Sequence, residues 1–93
     1  MELSEIFSSR YKTKIIELLC IYGDVNVTKI SKTTKVSHSQ VLRFLDFLTE
    51  KKIVTLRRFG KIKIYSLNTD NPRAILLKEF FERWRKINSN SSY

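Results

Sequence analysis

"TKISKTTKVSHSQVLRFLDFLTEK", residues 28–51, decides how this chain folds. Its first eight residues, TKISKTTK, read as a short helix with Ile30 inward and Thr28 or Asn26 as its cap. A break follows at Lys35-Val36. Ser37 then caps a second helix running to about Lys51, which buries Val41, Leu45 and Leu48 with Leu42 and Phe44 flanking. That helix opens on Ser37, His38, Ser39 and Gln40, four hydrogen-bonding side chains ahead of a run of core residues. Either this is an ordinary capped surface end, or those side chains are placed to touch something.

Beyond it, from Ile53, the period changes. IVTLRRF and KIKIYSL alternate and are rich in β-branched and aromatic residues, and Phe59-Gly60 between them suits a tight hairpin turn. The charge changes at the same place. Residues 1–50 hold seven Lys/Arg against six Asp/Glu, and residues 64–93 hold five against three. Residues 51–63, KKIVTLRRFGKIK, hold six bases and no acid. Two-thirds of the net charge of +9 therefore sits in one short hairpin. A solvated lysine-rich surface would suffer unscreened repulsion there, so a polyanionic partner is the better explanation.

On the N-terminal side, Leu3, Ile6, Phe7, Tyr11, Ile15, Leu18, Leu19 and Tyr22 recur at helical spacing, and Ser8 or Ser9 starts a second, longer stretch. Gly23-Asp24 closes that helix. Val25-Asn26-Val27 is short and β-prone, suited to a one-bridge strand against the later hairpin. On the C-terminal side, Asn71-Pro72 is a helix start with Asn as cap and Pro at the first position. The last helix runs from Pro72 to about Ile87, and the polar tail 88–93 is expected to fray. The expected fold class is mainly α with a small β-hairpin (α+β). Its order is helix, short strand, helix, helix, strand, strand, helix, in one domain over residues 1–93. Residues 28–51 form a helix-turn-helix, 53–67 a basic wing, and 72–87 a closing helix.

Several function classes fall away. Cys20 is the lone cysteine, set among apolar residues, and reads as a buried small hydrophobe. With a single His besides, no zinc-type cluster, no metal site and no cofactor is indicated. A nucleophile–base pair, a carboxylate dyad and a glycine-rich phosphate loop are all missing, so an enzyme is the weakest reading. No run approaches the ~18 apolar residues of a membrane span, and MELSEIFSSR does not read as a signal peptide. A soluble, cytoplasmic chain with no membrane partner is expected.

Residues 26–68, NVTKISKTTKVSHSQVLRFLDFLTEKKIVTLRRFGKIKIYSLN, resemble the winged helix-turn-helix of ArsR-like and MarR-like transcriptional regulators, especially the small versions found in archaea and their viruses. The matching pattern is Ser37, Ser39, Val41, Arg43, Leu45 and Leu48 on the second helix. Ile53, Val54, Arg57, Arg58, Tyr65 and Leu67 follow in the wing. Metal-sensing members carry paired Cys or His ligands, which this chain lacks, and no small-molecule effector is evident. Leu42 stands where Ser or Thr is frequent, and has two readings: packing inward, or touching a thymine methyl.

The resemblance implies double-stranded DNA as partner, with the second helix entering the major groove N-terminus first. The base-contact candidates are His38, Ser39, Gln40, Leu42 and Arg43, since Gln pairs with adenine, Arg with guanine, and Ser serves either way. Exposure to phosphate or water is an equal alternative for His38. Thr28, Lys29, Lys32, Ser37, Arg57, Arg58, Lys61 and Lys63 are candidates for phosphates or the minor groove, with Ser37 first of all a helix cap. Phe59 either folds over the hairpin base or contacts a sugar edge. A homodimer through the first and last helices is expected from Ile6, Phe7, Tyr11, Leu77, Phe80, Trp84 and Ile87, more apolar surface than one small core absorbs. The competing readings are a non-specific architectural DNA binder and a winged helix that binds protein.

Overall fold

The computed structural model describes residues 1–90. Five helices and one hairpin follow in the order α1 (Leu3–Ile6), α2 (Arg10–Tyr22), α3 (Val27–Thr34), α4 (His38–Glu50), β1 (Val54–Phe59), β2 (Ile62–Leu67) and α5 (Pro72–Asn90). Each of the four longer helices, α2 to α5, starts where a capping side chain can satisfy a free amide. Ser9 accepts from the Lys12 amide at 3.4 Å, Asn26 from Lys29 at 2.8 Å, Ser37 from Gln40 at 3.3 Å, and Asn71 from Arg73 at 2.9 Å. Helix α5 continues past the expected stop at Ile87 as far as Asn90; the rest of the polar tail lies outside the described residues.

Two turns set the angle of α4. Gly23 ends α2 at φ +74°, a conformation that suits a residue without Cβ. Lys35 ends α3 at φ +59°, its amide returning to the Ser31 carbonyl at 2.9 Å. The Ser31 hydroxyl then crosses the turn to the Val36 carbonyl at 2.6 Å, so the connection between α3 and α4 is tied at both ends.

The hairpin is antiparallel, with Val54 opposite Leu67, Leu56 opposite Tyr65, Arg58 opposite Lys63, and Phe59 opposite Ile62. As its alternation demands, one face carries Val54, Leu56, Tyr65 and Leu67 to the core. Val25 adds the one-bridge strand expected from sequence, exchanging both backbone hydrogen bonds with Tyr65 at 2.9 and 2.8 Å. At the wing's base, the Asn68 and Asn71 side chains both donate to the Lys52 carbonyl, at 2.9 and 2.8 Å. Lys52 itself sits at φ +62°, and this pair of amides holds the strained corner in place.

The core gathers Ile6, Ile15, Ile16, Leu19, Ile30, Val41, Leu45, Leu48, Ile53, Val54 and Tyr65, all essentially solvent-free. Phe44, expected at the flank, is buried with them. On α5 the inward stripe is Ala74, Leu77 and Phe81. Ile6 and Leu77, expected at a subunit interface, therefore fill the chain's own core. The reason is that α5 has two apolar stripes, and the one spaced four apart through Leu77 and Phe81 meets α2.

Candidate nucleic-acid interface

Helix α4 is fixed from below by Val41, Phe44, Leu45 and Leu48, which leaves His38, Ser39, Gln40 and Arg43 exposed. The 3.6-residue period divides these between two flanks. His38 and Leu42, four apart, face the wing. Together with Asn26, Val27, Thr28, Lys61, Ile62 and Lys63 they line a cleft of about 370 Å³. Five of the expected contact residues, Thr28, His38, Leu42, Lys61 and Lys63, are thus brought together from three elements. Leu42 packs partly against the core, the first of its two readings, and also lines the cleft.

Arg43 lies on the other flank. It lines a second cleft, about 410 Å³, with Glu5, Ser8, Tyr11, Lys12, Phe44 and Phe47. Lys12 donates to the Ser8 hydroxyl at 3.1 Å and stands 5.6 Å from the Phe44 ring, while Lys51 stands 5.8 Å from the Phe47 ring. Sequence reading gave Lys12 no role, because the approach of α2 to α4 is a tertiary fact. Further along the outer face, Asp46 and Glu50 are exposed acids. Polar groups suited to a polyanion are therefore confined to the first two turns of α4.

The cap shapes what those turns offer. Ser37 Oγ accepts the Gln40 amide and donates to Gln40 Oε1 at 3.0 Å, with Ser39 Oγ at 3.5 Å. The Gln40 carbonyl oxygen is thereby engaged within the protein. A bidentate contact to adenine, which uses both amide atoms, requires it to leave Ser37.

The wing's four cations differ in position. Arg58 and Lys63 oppose each other on the face shared with Leu56 and Tyr65, a like-charge cross-strand pair that destabilises a bare hairpin. Lys61 is in the turn beside Gly60, whose φ of +61° at the first turn position suits the primed hairpin turns. Arg57 is different. It lies on the opposite face, where its Nη2 meets Asp24 Oδ2 at 2.8 Å and Ser66 Oγ at 3.3 Å, while Ser66 donates to Asp24 Oδ1. The Ser66 hydrogen bond, then that from Arg57, holds the Asp24 carboxyl below the usual carboxylate range. Arg57, expected among the phosphate or minor-groove contacts, is thus ion-paired within the chain while its side chain stays half exposed. Lys29 is also engaged, 4.3 Å above the Tyr22 ring, and Lys32 is exposed.

Beneath the wing, the buried Tyr65 hydroxyl finds no hydrogen-bond partner among the described residues. Desolvation raises its pKa, Asp46 adds to the rise, and Arg58 opposes it. The Cys20 thiol is pushed up to about 12, chiefly by burial, which makes it an inert core group at neutral pH. Among the described residues, no three His, Cys, Asp or Glu side chains gather where they could hold a metal ion. No helix is long and apolar enough to cross a membrane.

A second surface lies across α1 and α5. Leu3, Leu76, Phe80, Trp84 and Ile87 are all exposed, and Phe7 is at the border of exposure. The Phe80 and Trp84 rings stack at 6.0 Å, and Phe7 meets Phe81 at 6.4 Å. Two hollows flank them, one of about 570 Å³ that includes Arg10, Lys14 and Trp84, the other of about 350 Å³ that includes Leu3, Leu76 and Phe80. Of the residues expected at a dimer interface, Phe7, Phe80, Trp84 and Ile87 lie on this face. Tyr11 does not: it is half-buried against the Phe44 ring at 6.5 Å, in the α4 cleft. Leu3 and Leu76 belong to the face and were missed, although the 4, 4, 3 spacing of Leu76, Phe80, Trp84 and Ile87 is visible in the sequence.

No protein-family model matches the sequence, and no curated protein matches it. Solved structures do. Reduced HlyU from Vibrio cholerae N16961 is similar with a TM-score of 0.72 at 18% identity, covering 88% of this chain and 83% of its own. The transcriptional repressor PagR of Bacillus anthracis gives 0.67 at 25% identity, covering 82% and 84%. The homodimeric winged helix-turn-helix DNA-binding domain of Mb0332 from Mycobacterium bovis, a possible ArsR-family transcriptional regulator, gives 0.66 at 17% identity, covering 97% and 78%. The fold is a winged helix.

Proposed function

We propose that this chain is a sequence-specific, double-stranded DNA-binding transcriptional regulator without catalytic activity, of the small archaeal or archaeal-viral kind, working as a homodimer. The observation that carries the reading is the cleft between α4 and the wing. It joins Thr28, His38 and Leu42 to Lys61 and Lys63, next to the opposed cations Arg58 and Lys63. A fold that sets two like charges face to face on a hairpin gains from an anion that neutralises both. Helix α4 lies in the major groove with its polar start toward base edges, and its N-terminal amides favour nearby phosphate. Arg58, Lys61 and Lys63 take phosphates or the minor groove beside it.

The exposed apolar face of α1 and α5 is the dimer surface. Its two-fold symmetry would place two α4 helices about 34 Å apart, facing a pseudo-palindrome. The likeness to PagR, a transcriptional repressor, and to Mb0332, a homodimeric DNA-binding domain, supports both parts of the reading.

Selection of bound duplexes from a random pool, followed by titration over a range of salt and light scattering for mass, tests it. The expected result is a dimer of the 11.1 kDa chain that prefers an inverted repeat to random DNA by about a thousandfold or more. A specificity ratio near one would replace this reading with an architectural binder. No affinity for duplex DNA at low salt would replace it with a protein-binding winged helix.

A further inference from the structure

Phe59 and Ile62 frame the tip of the wing. They pair across the hairpin on either side of Gly60-Lys61, and stay 60% and 57% exposed. Alternation puts them on the face opposite Leu56 and Tyr65, out of reach of the core. Lys61 stands between them in the turn, Arg58 and Lys63 adjoin them in sequence but lie on the other face, and Arg57, on their own face, is paired with Asp24. Ile62 also lines the cleft that holds His38, Lys61 and Lys63, so the tip is continuous with the proposed DNA face.

An apolar pair at a tip that carries Lys61, with Arg58 and Lys63 on its other face, suits neither water nor an apolar protein surface, where docking the pair would desolvate the charges beside it. It suits a surface on which phosphates stand a few ångströms from stacked base edges. We infer that Phe59, backed by Ile62, is a minor-groove wedge: the adjoining cations seat the tip on the two phosphate strands, and the ring pries at one base step. Apolar side chains inserted in this way unstack the step and bend the duplex by about 20–90° toward the major groove. Pyrimidine–purine steps open most easily, so the wedge adds a preference for a TA or CA step outside the bases that α4 reads. The inference rests on the DNA-binding reading above and adds a deformation and a residue that produces it.

The test uses the full chain and its selected duplex, with 2-aminopurine replacing successive flanking adenines. Binding of the unaltered protein is expected to raise the fluorescence at one step, and to bend the duplex in a circular-permutation assay. Phe59→Leu keeps both signals. Phe59→Ala loses both and binds about tenfold more weakly, in line with loss of one base–aromatic contact. Both variants are expected to melt as cooperatively as the parent, since Phe59 is outside the core.

Unchanged fluorescence at every step while the duplex is bound overturns the wedge. So does a Phe59→Ala protein that distorts DNA as the parent does, including one that merely melts at a lower temperature, which would make the pair a hairpin stabiliser. Attachment to anionic-lipid vesicles that depends on Phe59, with no change in the DNA signals, would assign the tip to a membrane surface. A parent protein with no duplex affinity at low salt overturns the DNA-binding reading itself, and the wedge falls with it.

Discussion

The two exposed faces of this molecule are chemical opposites. Around α4 and the wing, the surface is Ser37, His38, Ser39, Gln40, Arg43, Arg58 and Lys61; across α1 and α5, it is Leu3, Leu76, Phe80, Trp84 and Ile87. A 93-residue chain can bury only one stripe of each helix, so both surfaces are left over from the same core. What they demand differs. A contiguous apolar patch is stabilised by cover, and a dense cationic patch by neutralisation. Under the function proposed above, the two take different partners, a second copy and a polyanion, and α5 would set the spacing at which the polyanion is read.

The largest effect should come from separating the two faces. Phe80→Glu combined with Trp84→Glu places charges at the centre of the apolar face, while the core residues Leu77 and Phe81 are left intact. Light scattering is expected to show the mass halving to that of the 11.1 kDa chain. Affinity for a full inverted repeat should fall about a hundredfold or more as the second half-site ceases to bind intramolecularly, with half-site affinity retained. A variant that stays dimeric would remove α1 and α5 from the interface.

Next in size is the contrast within the polar face. Arg43→Ala should relax discrimination at one base pair by about 1–3 kcal/mol, with random-DNA affinity little changed. Arg58→Ala with Lys63→Ala should do the reverse, weakening specific and random duplexes together and lowering the log–log salt slope by about 2. Because those cations repel across the strand pair, removing them should also raise thermal stability by about 0.2–1 kcal/mol. Gain in stability with loss of affinity marks residues kept for a partner. Equal losses on specific and random DNA from both variants would show that α4 and the wing do not divide the work.

Much of this was legible in the sequence, for reasons that are local. Ser37, Asn26 and Asn71 are caps because each stands just before a helical pattern and needs only the next turn to act. The hairpin register follows from alternation and from Gly60, and the β-prone stretch Val25-Asn26-Val27 suited a one-bridge strand, of which Val25 alone pairs while Asn26 caps α3 and Val27 begins it. What was not legible is tertiary. Periodicity groups Leu76 with Phe80 and Leu77 with Phe81, but it cannot say which stripe of a twice-apolar helix turns inward, and so Ile6 and Leu77 were assigned outward. The helical period places His38 and Arg43 on different flanks of α4, but only the fold shows that the wing closes over one flank and α2 over the other.

Asp24 and Arg57 are the sharpest case, since they are 33 positions apart and meet only because Val25 bridges to Tyr65 beside them. Their substitutions should give the smallest effects, in opposite directions. Arg57→Ala is expected to be nearly silent in DNA binding, as its guanidinium is already held by Asp24 and Ser66. Asp24→Asn removes the carboxylate and frees that guanidinium, so affinity for all duplexes should rise a few-fold and the salt slope by up to about 0.9, one phosphate's share. The double variant should bind as Arg57→Ala alone does. Sign also fixes the pH range of the latch. The Asp24 carboxyl titrates lower in the folded chain than in the unfolded one, so the contact is fully formed above the unfolded value of about 3.9 and is lost as pH falls through the lower folded value. Between pH 6 and 8 the latch is therefore closed, and a change in affinity across that range in the parent that persisted in Asp24→Asn would have to come from another group.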